Sequence, residues 1–260
     1  MMKDLFSLKG RVALITGGSR GIGKMIARGF LEQGAKVYIT ARKAPACDQT
    51  AEELSAYGTC ISLPHDVSTV EGCKALASDF LTHENSLDIL VNNAGAAWGE
   101  PFAEFPENGW DKVMDLNVKS LFFLTQALHD ALKKNASTDN LSKVINIASI
   151  DGIRINPWET YSYQASKAAV IHLTRRMAAR LIDDHIGVSG IAPGAFASEM
   201  NKAAKDHGDS ISKFIPAKRI GRDSDMAGAA VFLASRAGDY VIGDTLAVDG
   251  GVAYSNIAQV

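Results

Sequence analysis

Tyr163 and Lys167 stand four residues apart in a helical pattern, and Ser149 closes the apolar run Val144-Ile-Asn-Ile-Ala148 ahead of them. Residues at that spacing share a helix face, so the Lys167 ammonium can lie beside the Tyr163 phenol and favour its ionised form. An unperturbed phenol titrates near ~10, and a cationic neighbour lets it exchange protons with an alcohol or ketone at neutral pH. Alone, Tyr-x-x-x-Lys is as well explained by a solvated surface pair. What precedes it in the chain makes the chemistry specific.

The elements that must position this pair begin with Thr16-Gly-Gly-Ser-Arg-Gly-Ile-Gly23. It follows the apolar run Val12-Ala-Leu-Ile15 and opens the helical pattern Ile22, Ile26, Ala27, Phe30, Leu31. Strand, glycine turn and helix in this order suit a pyrophosphate, because glycines allow close backbone approach and the helix N-terminus presents free N–H groups. The spacing Gly17-x-x-x-Gly21-x-Gly23 departs from G-x-G-x-x-G and lacks the Gly-Lys-Ser/Thr ending of a P-loop, which disfavours phosphoryl transfer.

A second strand, Lys36-Val-Tyr-Ile-Thr-Ala41, ends without the carboxylate that would bond an NAD ribose. Arg42 and Lys43 follow it, and Arg20 lies inside the glycine turn. Guanidinium groups match a 2′-phosphate with a planar fork of donors, so the expected cofactor is NADP(H).

On these residues the chain resembles the short-chain dehydrogenase/reductase family from end to end, with Asp66, Asn92-Asn93-Ala94-Gly95, Asn117, Pro193-Gly194 and Asp249-Gly250-Gly251 as further landmarks. The resemblance implies a tetrad. Asn117 would anchor a water in a proton relay, Ser149 orient the substrate carbonyl, Tyr163 donate the proton and Lys167 lower its pKa. It also implies that Asp66 contacts the adenine, Asn93 lies along the adenosine ribose, and Tyr163 and Lys167 hold the nicotinamide ribose. The full set of implied cofactor contacts is Gly17, Ser19, Arg20, Gly21, Ile22, Gly23, Arg42, Asp66, Val67, Asn92, Asn93, Ala94, Gly95, Tyr163, Lys167, Pro193, Gly194, Phe196 and Ser198. At Ser198 the family usually has threonine; serine keeps the hydroxyl for the carboxamide but loses the methyl.

Within the family the nearest resemblance is to NADPH-dependent 3-oxoacyl reductases of the rhamnolipid-associated branch. That implies a 3-oxoacyl thioester, on CoA or a carrier protein, as substrate. Sugar acids, polyols and cyclic ketones stay open, because Trp98, Ile150–Arg154, Phe196 and Met200 suggest a pocket of mixed polarity. Asp151 could repel an anionic keto acid or point into solvent. A polar segment, Ala203–Ser210, suggests a lid within about 195–215. A non-catalytic nucleotide-sensing role is the remote alternative, disfavoured because Asn117, Ser149, Tyr163 and Lys167 are all present.

With 260 residues and 47% hydrophobic composition, the chain can build one α/β domain spanning 1–260. Apolar runs at 12–16, 36–41, 59–64, 87–92, 144–149, 187–192 and 245–249 predict seven parallel strands in a doubly wound, Rossmann-like sheet. Ligands of such sheets bind beyond the strand carboxyl ends, where the glycine turn, Asp66, Asn92-Asn93, Ser149 and Pro193-Gly194 all fall. Helical patterns at 107–134 and 161–184 carry extra apolar surface. The resemblance implies that these helices pair between subunits into a four-helix bundle, with a homotetramer favoured and a dimer next.

The net charge of −2 with no basic stripe argues against nucleic-acid binding. No apolar run approaches the ~20 residues that span a bilayer. The short apolar stretch in Met1–Gly10 is too little for a signal peptide, so a cytoplasmic location is expected. Cys47, Cys60 and Cys73 form no C-x-x-C and fit reduced structural thiols. The histidines form no ligand-like cluster, so no metal is assigned.

Overall fold

The computed structural model describes residues 4–198, 206 and 208–255. Seven strands form one parallel sheet: β1 Val12–Thr16, β2 Lys36–Thr40, β3 Cys60–Ser62, β4 Ile89–Asn92, β5 Ser142–Ile147, β6 Ile186–Pro193 and β7 Thr245–Val248. Their order is β3-β2-β1-β4-β5-β6-β7. All seven apolar runs become strands, with ends displaced by a few residues: β3 and β4 are shorter than their runs, whereas β6 extends beyond its run at both ends.

The runs are continuous because both faces of the sheet are covered. Ala13 and Ile15 of β1 face one core with Val37, Ile39, Ile89 and Val91, while Leu14 faces the other with Tyr38 and Leu90. The first face is packed by helices α1 (Gly21–Glu32) and α2 (Ala44–Leu54). The second is packed by α3 (Val70–His83), α5 (Ser120–Ala127), α6 (His129–Lys133) and α7 (Tyr161–Leu181). Phe30 on one side and Phe80 on the other are fully buried, each stabilising by roughly 2–3 kcal/mol of apolar area. Two later helices, α8 (Gly208–Ser212) and α9 (Asp223–Ala234), lie between β6 and β7, and α9 packs on α1.

The strand order reverses between β1 and β4, which opens a crevice at their carboxyl ends. The helical pattern at 107–134 divides there. Helix α4 (Glu107–Met114) passes through a π turn, Asp115–Lys119, before α5, and the chain breaks again at Leu128. No glycine or proline marks the π turn. It places Asn117, a mediocre helix former, at a widened step that faces the crevice.

Cys47, Cys60 and Cys73 are buried free thiols, and burial pushes Cys60 up to about 12 and Cys73 up to about 11. Among the described residues no helix is long and apolar enough to cross a membrane, and no group of three His, Cys, Asp or Glu is placed to hold a metal.

Candidate active site

The glycine turn is clamped to the end of β4 by two side chains. Thr16 Oγ1 accepts from the backbone N–H groups of Asn93 and Ala94, each at 2.9 Å, and donates to Val91 O at 3.3 Å. Asn93 Nδ2 donates back to Thr16 O at 2.8 Å and Gly17 O at 3.1 Å. Gly17 has φ +64, and a Cβ there would lie 2.9 Å from Asn93 Nδ2. At Gly23 a Cβ would lie 2.4 Å from Gly17 O, so the first turn of α1 can approach the strand only with glycine. The result is a cradle lined by backbone, Gly17-Gly-Ser-Arg-Gly-Ile-Gly23, with a helix N-terminus behind it. These residues fit a dinucleotide pyrophosphate.

The end of β2 borders the cradle: Thr40 O accepts from Gly18 N at 3.2 Å, and Thr40 Oγ1 accepts from His65 N. Ser19 O accepts from Thr50 Oγ1 of α2 at 2.9 Å. Arg20, Arg42 and Lys43 are all exposed around this corner and Asp66 is exposed after β3, whereas Val67 is buried under α3. Ile22 packs on the core from the first turn of α1. Gly95 lies between Asn117 and Lys167: a Cβ there would be 3.2 Å from Asn117 Oδ1 and 3.8 Å from Lys167 Nζ. Gly194 is tied to β7 through Val248 O at 3.0 Å. A Cβ at Gly21 would be 3.2 Å from the Ser198 Cβ, so Ser198 borders the glycine turn.

Ser149 follows β5 and starts the short 3-10 turn Ile150–Gly152, its hydroxyl accepting from Asp151 N at 3.1 Å. The same hydroxyl stands near the Tyr163 phenol, which lies in the first turn of α7, and opposes the upward shift of its pKa. One turn later, Lys167 sends its Nζ to Ile147 O at 2.8 Å and lies 5.6 Å from the Tyr163 ring centroid. Asn117 spends its side chain on bracing: Nδ2 donates to Ala96 O and to Ser166 Oγ, both at 2.9 Å, and Oδ1 accepts from Ala96 N at 2.8 Å. Four sequence-predicted residues from three separate segments therefore meet at one strand edge.

Their electrostatics depart from the expected lowering of the phenol. Burial pushes Tyr163 up to about 12; the Ser149 hydroxyl works against that rise and the Asp151 carboxylate adds to it. Burial pulls Lys167 down to about 8, with Asp151 opposing. Desolvation penalises the charged form of both groups and is the largest cause of each shift. Asp151, half-exposed, thus adds a charge effect on both groups that is smaller than that of burial.

Two of the expected cofactor contacts have side chains turned into the interior. Asn92 is 6% exposed, and its Nδ2 donates to Thr125 Oγ1 at 3.1 Å and to Asn146 Oδ1 at 3.0 Å. Its side chain is therefore a buried brace, unlike that of the adjacent Asn93. Phe196 is 2% exposed, with its ring packed on Gly221 in the core, so only its backbone borders the site. Trp98 is folded onto α4 at Gly109, with the Lys112 ammonium 5.1 Å from its ring centroid. Met200 and part of the expected lid, residues 199–205 and 207, lie outside the described residues.

Several supporting residues escape sequence reading. Asn146, fully buried, relays the Asn92 bond to Thr174 Oγ1 of α7 at 2.9 Å, so a polar chain Thr125–Asn92–Asn146–Thr174 crosses beneath the site. Ser166 accepts from Asn117 and donates to Tyr163 O at 2.7 Å. The available signal was a polar residue inside an apolar strand, Asn146 in Val-Ile-Asn-Ile, because a buried amide has to find partners.

Comparison with known proteins agrees with this geometry. A family model described as Enoyl-(Acyl carrier protein) reductase matches residues 17–253. The chain is 47% identical over 253 residues to a rhamnolipids biosynthesis 3-oxoacyl-[acyl-carrier-protein] reductase of Pseudomonas aeruginosa, covering 96% of this chain and 99% of that one. It is 40% identical to a 2-dehydro-3-deoxy-D-gluconate 5-dehydrogenase of Dickeya dadantii, over 96% and 98% of the two chains. The solved Pseudomonas aeruginosa RhlG/NADP active-site complex superposes with a TM-score of 0.93 at 46% identity, over 96% of this chain and 98% of that one. With a glycine cradle, a Ser-Tyr-Lys group at the adjoining strand ends and relatives matched along nearly their whole length, the chain belongs to the short-chain dehydrogenase/reductase family.

Proposed function

We propose that the protein is an NADPH-dependent carbonyl reductase that converts a 3-oxoacyl thioester into the 3-hydroxyacyl product. The observation that carries this reading is the convergence of Ser149, Tyr163 and Lys167 beside the glycine cradle. Bound NADPH supplies the hydride that reaches the ketone carbon. Ser149 holds the ketone oxygen by a hydrogen bond and Tyr163 gives it a proton as charge develops, which is where preorganised donors lower a barrier most. The high phenol pKa keeps that proton in place at neutral pH. Lys167 holds the nicotinamide ribose. Asn117, with its side chain committed to Ala96 and Ser166, fixes the turn after β4 against α7, and a relay water there would rest on main-chain groups of the π turn.

For the cofactor we assign the backbone cradle Gly17–Gly23 to the pyrophosphate and Arg20 and Arg42 to the 2′-phosphate. Asp66 and Val67 serve the adenine, Asn93, Ala94 and Gly95 the adenosine ribose, and Pro193, Gly194 and Ser198 the carboxamide. The NADP complex of the Pseudomonas aeruginosa relative supports this choice of cofactor. The chain acts as one domain in the cytoplasm, as a homotetramer or otherwise a dimer; Trp110 and Phe122, exposed on α4 and α5, supply apolar surface for such pairing.

Reduction or oxidation of a sugar acid is the second reading, favoured by the gluconate-type relative. Asp151 weighs against it, since a carboxylate acting on both Tyr163 and Lys167 also repels a carboxylate substrate. The test is NADPH oxidation with 3-oxoacyl thioesters from acetoacetyl to 3-oxodecanoyl, beside keto-sugar acids and cyclic ketones, repeated with NADH. Turnover that rises with acyl length supports the reading; turnover confined to sugar acids discards the substrate.

A further inference from the structure

Away from the Ser-Tyr-Lys group, a cleft of about 450 Å³ lies between α8 and the segment leading into α9. Its charged lining is Lys213, Lys218, Arg219 and Arg222 against Asp209, and the Ser212 hydroxyl beside them donates to Gly208 O at 2.7 Å. Arg219 is already engaged: its two terminal nitrogens fork onto Asp225 at 2.5 and 3.0 Å. Among the described residues no carboxylate is within ion-pair distance of Lys213, Lys218 or Arg222. Asp223 and Asp225 in the first turn of α9 offset part of this charge. The cleft nevertheless gathers cations on a protein whose net charge is −2.

The backbone is shaped to present them. Lys218 has φ 57, a left-handed conformation that a side-chain-bearing residue adopts rarely and that collects at functional segments. It is held there by Lys218 N donating to Ile215 O at 2.9 Å, and its Nζ folds towards Lys213 O at 3.2 Å. The segment is also joined to the reaction edge. Gly221 N donates to Ala195 O at 2.8 Å, one residue past Pro193-Gly194, and Phe196 pairs with Gly221 as a parallel bridge. Arg219 lines both this cleft and a neighbouring cavity of about 260 Å³ that Ala195, Phe196 and Asp249 also line.

We propose that this cleft binds the phosphate of a phosphorylated pantetheine arm, so that the enzyme grips its thioester substrate by the carrier end as well as by the ketone. The inference rests on the thioester reading above. CoA and an acyl carrier protein both present this chemistry. Lys213, Lys218 and Arg222 make the phosphate contact, while Arg219 keeps the loop in place through Asp225.

The test presents one 3-oxoacyl group in three forms, as its N-acetylcysteamine, CoA and carrier-protein thioesters, to the wild-type protein, the double variant Lys213→Gln/Lys218→Gln, and Arg222→Gln. The expected result is a fall of about tenfold or more in kcat/KM, carried by KM, for a phosphate-bearing thioester. The N-acetylcysteamine reaction, which lacks phosphate, should be unchanged, and that also shows the variants to be folded. The form that loses more identifies the source of the arm. Equal sensitivity of all three thioesters, or no effect on any, overturns the cleft and leaves the thioester reading standing. Absence of thioester turnover by the wild type, with sugar-acid turnover present, overturns both.

Discussion

The Lys167 ammonium donates to Ile147 O at 2.8 Å while lying 5.6 Å from the Tyr163 ring centroid. One cation therefore ties α7 to the end of β5 and stands next to the phenol proposed as the proton donor. With Lys167 buried and Tyr163 half-buried, desolvation leaves the site with a protonated phenol and an ammonium held below its ordinary pKa.

The pH dependence follows from those directions. Lys167, at about 8, loses its charge as pH rises through that value, whereas Tyr163, at about 12, stays protonated. Reductase kcat/KM should be flat near neutrality and decline above about pH 8. Asp151 raises both pKa values, so Asp151→Asn should move the alkaline limb to lower pH. A pH–rate profile measures this, and an unmoved limb would contradict the role given to Asp151.

Cofactor choice is assigned to Arg20 and Arg42, exposed at the corner between the glycine turn and β2. Arg42→Ser should raise the KM for NADPH by about tenfold, since one charge-assisted phosphate contact is lost, with the NADH reaction little changed. Steady-state kinetics with both cofactors decides it; parallel losses would argue against a 2′-phosphate contact.

The sequence shows which chemistry is present more readily than how each group is wired. Both-face burial turns strands into unbroken apolar runs, so β1 to β7 are visible without coordinates. Asn92 and Asn93 look alike in sequence, and only the register of β4 on β5, which sets Asn92 beside Asn146, sends one into the core and leaves the other on the glycine turn. The π turn at Asp115–Lys119 is hidden within an ordinary helical pattern. The pKa of Tyr163 depends on how deeply α7 buries it, which the Tyr-to-Lys spacing does not encode.

Thr16 is the residue whose importance was least evident. Thr16→Val keeps the shape but leaves the N–H groups of Asn93 and Ala94 without their acceptor. We expect a loss of about 1–3 kcal/mol of stability and weaker NADPH binding. Denaturant unfolding and cofactor titration check both; an unchanged midpoint would show that the clamp is dispensable.

Far from the reaction, Asp184 at the end of α7 is bonded by Lys133 at 2.6 Å, Arg180 at 2.9 Å and His129 at 3.1 Å. The Lys133, His129 and Arg180 hydrogen bonds hold its carboxyl well below the usual range. A depressed carboxyl pKa stabilises the fold above the unfolded-state value, and that contribution fades as pH falls through the folded one. Asp184→Asn should lower Tm by a few degrees at pH 7 and flatten its decline in acid. Thermal unfolding from about pH 7 down to about pH 2, which spans the range below the unfolded-state value, would show this, and a parallel decline in both proteins would refute it.

The central claim is that the Tyr163 phenol delivers the proton. Its most direct test is Tyr163→Phe, with kcat for 3-oxoacyl thioester reduction measured alongside the NADPH dissociation constant. The account predicts a fall in kcat of about 100-fold or more at unchanged NADPH affinity. Retention of more than about a tenth of wild-type kcat, against that expected loss, would mean that the proton comes from elsewhere.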